Sequence, residues 1–204
     1  MSLKQINASY LVNEDRILFR FNTQDQAEYR LWLTRRVTLF ILAASSHLLA
    51  KKLEENHSPD AARALHEFEK EAFLEAARTA NAGQQTYESG TQFPMGSDPL
   101  LVMDITCSLT KNGEQVDPKT DAQEHTFDGG ISVDFILPGG ANLNLKLAGN
   151  MMRAMSLLLD QLRQHAGWGE ATLTVKNPVE NALENDTESD ATASEKTVSN
   201  ISFH

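Results

Sequence analysis

Apolar and polar residues alternate along three successive stretches near the N-terminus, the period-two pattern of strands with one buried face. In residues 3–12, Ile6, Ala8 and Tyr10 share a face. Residues 16–23 set Ile17, Phe19 and Phe21 against Arg16, Leu18, Arg20 and Asn22; residues 27–34 set Tyr29, Leu31 and Leu33 against Glu28, Arg30 and Trp32. The polar triplets Asn13-Glu14-Asp15 and Gln24-Asp25-Gln26 separate them, which predicts three antiparallel strands joined by turns.

From Val37 to Glu55 the pattern becomes helical, apolar nearly all round at its start and so expected to be deeply covered. Ser58-Pro59-Asp60 supplies a cap, a first-turn proline and an early acid, opening a second helix to about Ala80 with the apolar stripe Ala61, Leu65, Phe68, Ala72 and Ala76. Residues 82–99 hold Gly83, Gly90, Gly96, Pro94 and Pro99 without periodicity and are expected to form a long mobile loop, a kind that is often functional. Strands resume at 100–111 and 126–137, followed by a Pro138-Gly139-Gly140 turn, a strand at 141–147, a helix at 150–165 and a short strand at 171–175.

Laying residues 17–48 on 131–162 aligns Ile17 with Ile131, Phe21 with Phe135, Leu31 with Leu145 and Leu48 with Leu162. The predicted class is therefore α+β: one antiparallel sheet of about six strands packed against helices, built as two β-β-β-α halves (1–81 and 100–175) related by an internal repeat. Residues 1–175 are expected to form a single domain. Residues 176–204, acidic and rich in Thr, Ser and Asn, are expected to be a disordered tail whose apolar tip, Ile201 and Phe203, suits docking into a protein partner.

Composition narrows the classes. Hydrophobic residues make up 41% of the 204, enough for a core, yet no uninterrupted apolar run is long enough to span a bilayer, so no membrane partner is expected. The net charge of −10 opposes bulk attraction to nucleic acid, although residues 1–57 carry 8 basic against 6 acidic side chains. An anion site would have to lie there. The single cysteine, Cys107, sits in an apolar stretch and reads as a buried small hydrophobe; no secretory leader precedes the first strand, which suggests a cytoplasmic location.

No nucleophile-elbow, phosphate-loop, dinucleotide or metalloprotease motif occurs, so no catalytic residue, cofactor or metal is expected. Glu54-x-x-His57 has a metal-ligand spacing in one copy only, at a helix end, and His66 and Glu69 read as surface ion-pair partners. The outer face of the second and third strands stands out. A turn at residues 24–26 places Arg20 opposite Arg30, Leu18 opposite Trp32 and Arg16 opposite Thr34; Arg35 and Arg36 follow in the first turn of a helix capped by Thr34, where cations are unfavourable. Arg16, Arg20, Arg30, Trp32, Arg35 and Arg36 would suit a phosphate, an acidic peptide or a stacked base. The plainer expectation is that Glu14, Asp15, Asp25 or Glu28 pairs with the arginines while Trp32 and Leu18 pack internally. The functional expectation is a non-enzymatic interaction or regulatory module, a homodimer with a protein partner; the alternative is an anion- or nucleic-acid-binding regulator.

Overall fold

A computed structural model describes residues 2–80, 86–110, 130–170 and 200–202. Alternation places the first three strands, β1 (Leu3–Leu11), β2 (Arg16–Thr23) and β3 (Glu28–Thr34), in an antiparallel meander. The turn at residues 24–26, closed by Thr23 N–H donating to Ala27 O at 2.9 Å, sets the β2–β3 register and puts Arg20 opposite Arg30 and Leu18 opposite Trp32. Ile17, Phe19, Phe21, Leu31 and Leu33 all turn inward and are buried.

Helix α1 (Arg35–Glu54) starts one residue after β3 ends, with Thr34 as N-cap, its hydroxyl accepting from Val37 N–H at 3.4 Å. Its buried residues run from Val37 to Leu49 and include Phe40, Ile41 and Leu48, because α1 is the central helix, packed against β3, α2, α3 and the second sheet. Helix α2 (Pro59–Ala80) begins on the Ser58 cap, whose Oγ accepts from Ala61 N–H.

The expectation of one six-stranded sheet is corrected: the strands form two sheets. Leu100–Leu101 (β4) pairs parallel to Leu31–Trp32 at the β3 edge, whereas Asp104–Leu109 (β5) pairs antiparallel with Ile131–Ile136 (β6). The change of sheet takes two residues. Val102 N–H donates to Trp32 O at 3.0 Å, and the next amide, Met103 N–H, donates to Ile136 O at 2.9 Å. The expected single strand at 100–111 is thus divided at Val102–Met103. Asn142–Leu147 (β7) completes the β5-β6-β7 meander, joined to β6 by the Pro138-Gly139-Gly140 turn, where φ is 76° at Gly139 and 79° at Gly140, a left-handed conformation that glycine adopts without strain.

Helix α3 (Gly149–His165) lays Met152, Met155 and Leu159 on the core and packs along α1. The inner faces of both sheets meet in one apolar cluster, with the Phe19 and Phe135 rings 6.3 Å apart. Both halves contain a hairpin followed by a helix, but no internal repeat is shown: α2 has no counterpart after α3 among the described residues, and the sheets differ in strand pairing.

Beyond residue 170 only Asn200–Ser202 is described. The expected strand at 171–175, residues 176–199 of the expected disordered tail, and Phe203 lie outside the described residues. Asn200–Ser202 itself is a strand, β8, antiparallel to β5, with Cys107 opposite Ile201. No described helix is long and apolar enough to cross a membrane.

Candidate functional site

The arginines of the β2–β3 outer face are brought together as the register requires, and a strap formed by residues 86–99 covers them. Arg30 Nε donates to Glu28 Oε1 at 2.7 Å, and the other carboxylate oxygen accepts from Gly90 N–H at 2.7 Å. Glu28 has no exposed surface. The Arg30 guanidinium lies 4.7 Å over the Phe93 ring and donates to Ser97 O; the Arg20 guanidinium lies 4.9 Å over the Tyr87 ring and donates to Asn7 Oδ1 at 2.7 Å. Like charges in directly opposed strand positions repel, and here one buried carboxylate and two aromatic faces lie against them. Burial and the Glu28 carboxylate push the Tyr87 phenol up to about 12.

The strap crosses all three strands. Gln5 on β1 hydrogen-bonds Thr86 O and Glu88 N–H, Asn22 on β2 donates to Glu88 O at 2.6 Å, and Glu28 N–H on β3 donates to Gln92 O at 2.8 Å. Gly90 lies flush on the sheet: a Cβ there would sit 2.6 Å from Gln26 O and 2.9 Å from Glu28 N. Gly90→Ala must therefore lift the strap, with an expected loss of about 1–3 kcal/mol. Denaturant unfolding, with proteolysis within residues 86–99, checks it; unchanged stability would mean that the strap is not seated this way.

The other arginines are dispersed. Arg36 donates to Met103 O at 2.8 Å, tying the start of α1 to the crossing between sheets. Arg35 is exposed beside Asp15, whose carboxyl is held below its usual range by hydrogen bonds from Tyr10 and Trp168, with a smaller contribution from Arg35. Trp32 and Arg16 are half-buried, and Trp32 is flanked by Leu18 on β2 and Leu101 on β4. The six residues thus do not share one open surface.

The edge of the second sheet offers different chemistry. Thr110 N–H donates to Gly130 O on the β6 side, and hydrogen-bonding direction alternates along a strand, so Cys107 turns its N–H and C=O away from β6, toward β8. Ile201 is the residue opposite. An edge strand exposes such groups as a template for an incoming chain, and here the chain's own C-terminal segment takes the place. The Cys107 side chain is buried in the core, and burial pushes its thiol up to about 12, far from the thiolate range of a nucleophile.

No family model, curated protein or solved structure matches this chain. Function therefore rests on the geometry of its own residues.

One cluster departs from the sequence reading. The expected apolar stripe of α2 does not face the core: Phe68 is 67% exposed and Ala61, Ala72 and Ala76 are exposed. The helix is rotated so that Ala62, His66, Glu69, Phe73 and Ala77 turn inward. His66 is 6% exposed with its Nε2 3.2 Å from Ser46 Oγ, so it is not the surface ion-pair partner expected, whereas Glu69, partly exposed, does form an ion pair, with Arg153 on α3. Ser46 and His66 have the spacing of a nucleophile and its base, and among the described residues His66 Nδ1 has no hydrogen-bond partner that would serve as the third, orienting group.

Burial holds the His66 imidazole below its ordinary value of 6.5; Arg153 and Lys70 act the same way, while Glu67 and Glu69 oppose them. The unfolded chain then takes up a proton that the folded chain refuses. Stability from this residue is complete above about pH 6.5 and falls as pH drops through that value toward the lower folded-state pKa. Urea midpoints at pH 7.5 and 5.5 should differ more for the wild type than for His66→Gln; equal differences would contradict the burial effect.

Proposed function

We propose that this chain is a non-enzymatic protein-interaction module that binds an extended peptide segment by strand addition to the β5 edge. The observation that carries the reading is the pairing of Asn200–Ser202 with Thr106–Ser108, a strand supplied by the chain's own C-terminal end. Strand addition takes its affinity from main-chain hydrogen bonds, so it tolerates varied side chains and suits a segment as polar as this one. A tethered ligand also regulates: an intramolecular segment competes at an effective concentration of about millimolar for a short flexible linker, less for a longer one, and a free partner must exceed that. The module is self-occupied until a better segment displaces its tail. The binding segment belongs to a protein partner or to a second copy of the chain, whose exchanged tails would make a dimer.

The alternative, an anion- or nucleic-acid-binding surface, finds less support. Arg20 and Arg30 are engaged by Asn7, Glu28 and two rings, and Arg36 by a backbone carbonyl. A cytoplasmic setting is part of the proposal and rests on the sequence.

The test uses a labelled peptide of residues 195–204 and the full chain carrying Ile201→Pro, which removes the backbone donor opposite Cys107. The variant should bind the peptide, and the native chain should bind it at least about tenfold more weakly because its own tail competes. No binding to the variant, or equal binding to both, would overturn the proposal.

A further inference from the structure

We propose that the strand which displaces the tail from β5 carries a lysine or arginine opposite Thr106, held by the Asp104 carboxylate, directly after an aliphatic residue opposite Cys107. This inference rests on strand addition at the β5 edge and names the class of segment that the edge prefers.

Asp104 is fixed at that edge by its own neighbour. Cys107 turns its N–H away from β6, and Ile105, two residues earlier on the same strand, turns its N–H the same way. The Ile105 N–H donates to Asp104 Oδ1 at 2.9 Å, so the carboxylate stands on the side of β5 where a strand is added. A donor taken in this way is closed to an incoming main chain, and charged side chains are among the devices that limit pairing at sheet edges. The described pairing agrees, since it runs from Ser108 to Thr106 and has no pair at Ile105.

The charge of this carboxylate is unanswered. Asp104 is partly exposed and has no ion-pair partner among the described residues. Arg36 donates to the carbonyl of the adjacent Met103, and Lys146 lies on β7, two strands away and opposite Ser132. A second acid adds to the field: Asp134 is opposite Thr106 on β6, its Oδ1 accepting from Asn144 Nδ2 at 2.6 Å. In an added strand, the residue opposite Thr106 shares the face of Thr106 and Asp104 and is diagonal to Asp104, a separation that a long side chain bridges.

The other face of the sheet sets the preceding residue. Cys107, Val133 and Leu145 form a row across β5, β6 and β7, each at most 1% exposed. A residue opposite Cys107 extends that row, and a polar side chain there would lose its hydration without gaining a partner. The chain's own residues at the two positions are Ile201 and Ser202. The aliphatic requirement is met and the cationic one is not, which is what a tail needs if it is to occupy the edge and still yield to a partner.

The experiment measures binding of labelled 195–204 peptides to the full chain carrying Ile201→Pro, whose edge is open. The peptides carry the native serine at position 202, Ser202→Gln, Ser202→Arg or Ser202→Glu. At low salt the Arg peptide should bind about fivefold more tightly than the Gln peptide, and the Glu peptide about fivefold more weakly. This spread should collapse in about 1 M salt. It should shrink to about twofold when the chain also carries Asp104→Asn, which keeps an acceptor for the Ile105 N–H and removes the charge. Equal binding of the Arg, Gln and Glu peptides would overturn selection by Asp104 while leaving strand addition intact, and so would a spread that Asp104→Asn leaves unchanged. The peptide comparison needs no change within β5. If none of the four peptides binds, strand addition itself falls and this inference falls with it.

Discussion

Glu28→Ala should destabilise the chain by about 3–5 kcal/mol, the cost of removing one partner of a buried ion pair. The carboxylate has no exposed surface and serves two donors, Arg30 Nε and Gly90 N–H, at 2.7 Å each. Without it, Arg20 and Arg30 stand opposite one another with no anion between them, and the strap loses its anchor at Gly90. Chemical denaturation measures the loss, and amide exchange should show residues 87–93 opening before the strands beneath. The double change Glu28→Leu/Arg30→Met should cost less than Glu28→Ala alone, since it leaves no orphaned charge. A loss below about 1 kcal/mol for Glu28→Ala would place this carboxylate in solvent and return Arg20 and Arg30 to the pool of ligand-binding candidates.

Phe19→Ala and Phe135→Ala should each cost about 3–5 kcal/mol, the range for removing a buried phenylalanine. Both rings are fully buried, and each comes from the inner face of a different sheet. Their contact gives the pair a further signature. In a double-mutant cycle the two losses should fail to add by about 0.5–1.5 kcal/mol, whereas residues in independent cores add. Unfolding of either single variant should stay a single transition. Strict additivity, or two separate transitions, would mean that the sheets fold as separate bodies.

Much of the first sheet was legible because its information is local. Alternation fixes which face of β2 and β3 is apolar, and the polar triplet at residues 24–26 pins the register, so the opposition of Arg20 and Arg30 follows from counting. Thr34 and Ser58 cap the helices for similarly local reasons. The division into two sheets was not legible. β4 is two residues long, too short to have a period, and the crossing at Val102–Met103 lies inside an apolar run that reads equally well as one strand.

The orientation of α2 was hidden for another reason. Its two strips, Ala61-Leu65-Phe68-Ala72-Ala76 and Ala62-His66-Glu69-Phe73-Ala77, are displaced by one residue, about 100° around the helix. Pattern favours the first. Contacts with Ser46 on α1 and Arg153 on α3, both distant in sequence, select the second. The partners of Glu28 include Gly90, more than sixty residues away, and only the acidic type of the answer could be anticipated. Ile201 was marked as a docking residue from its position on a polar leash, but nothing in three residues names β5 as the acceptor.

The proposed function stands or falls on whether the β5 edge holds a displaceable strand. Residue-resolved amide exchange on the full chain, native and Ile201→Pro, tests this most directly, with the 195–204 peptide added to each. The native chain should protect the Cys107 amide, the variant should lose that protection, and the peptide should restore it in the variant, while amides of β6 stay unchanged throughout. A Cys107 amide equally protected in both chains, or one that the peptide fails to protect in the variant, would contradict strand addition as the function of this edge.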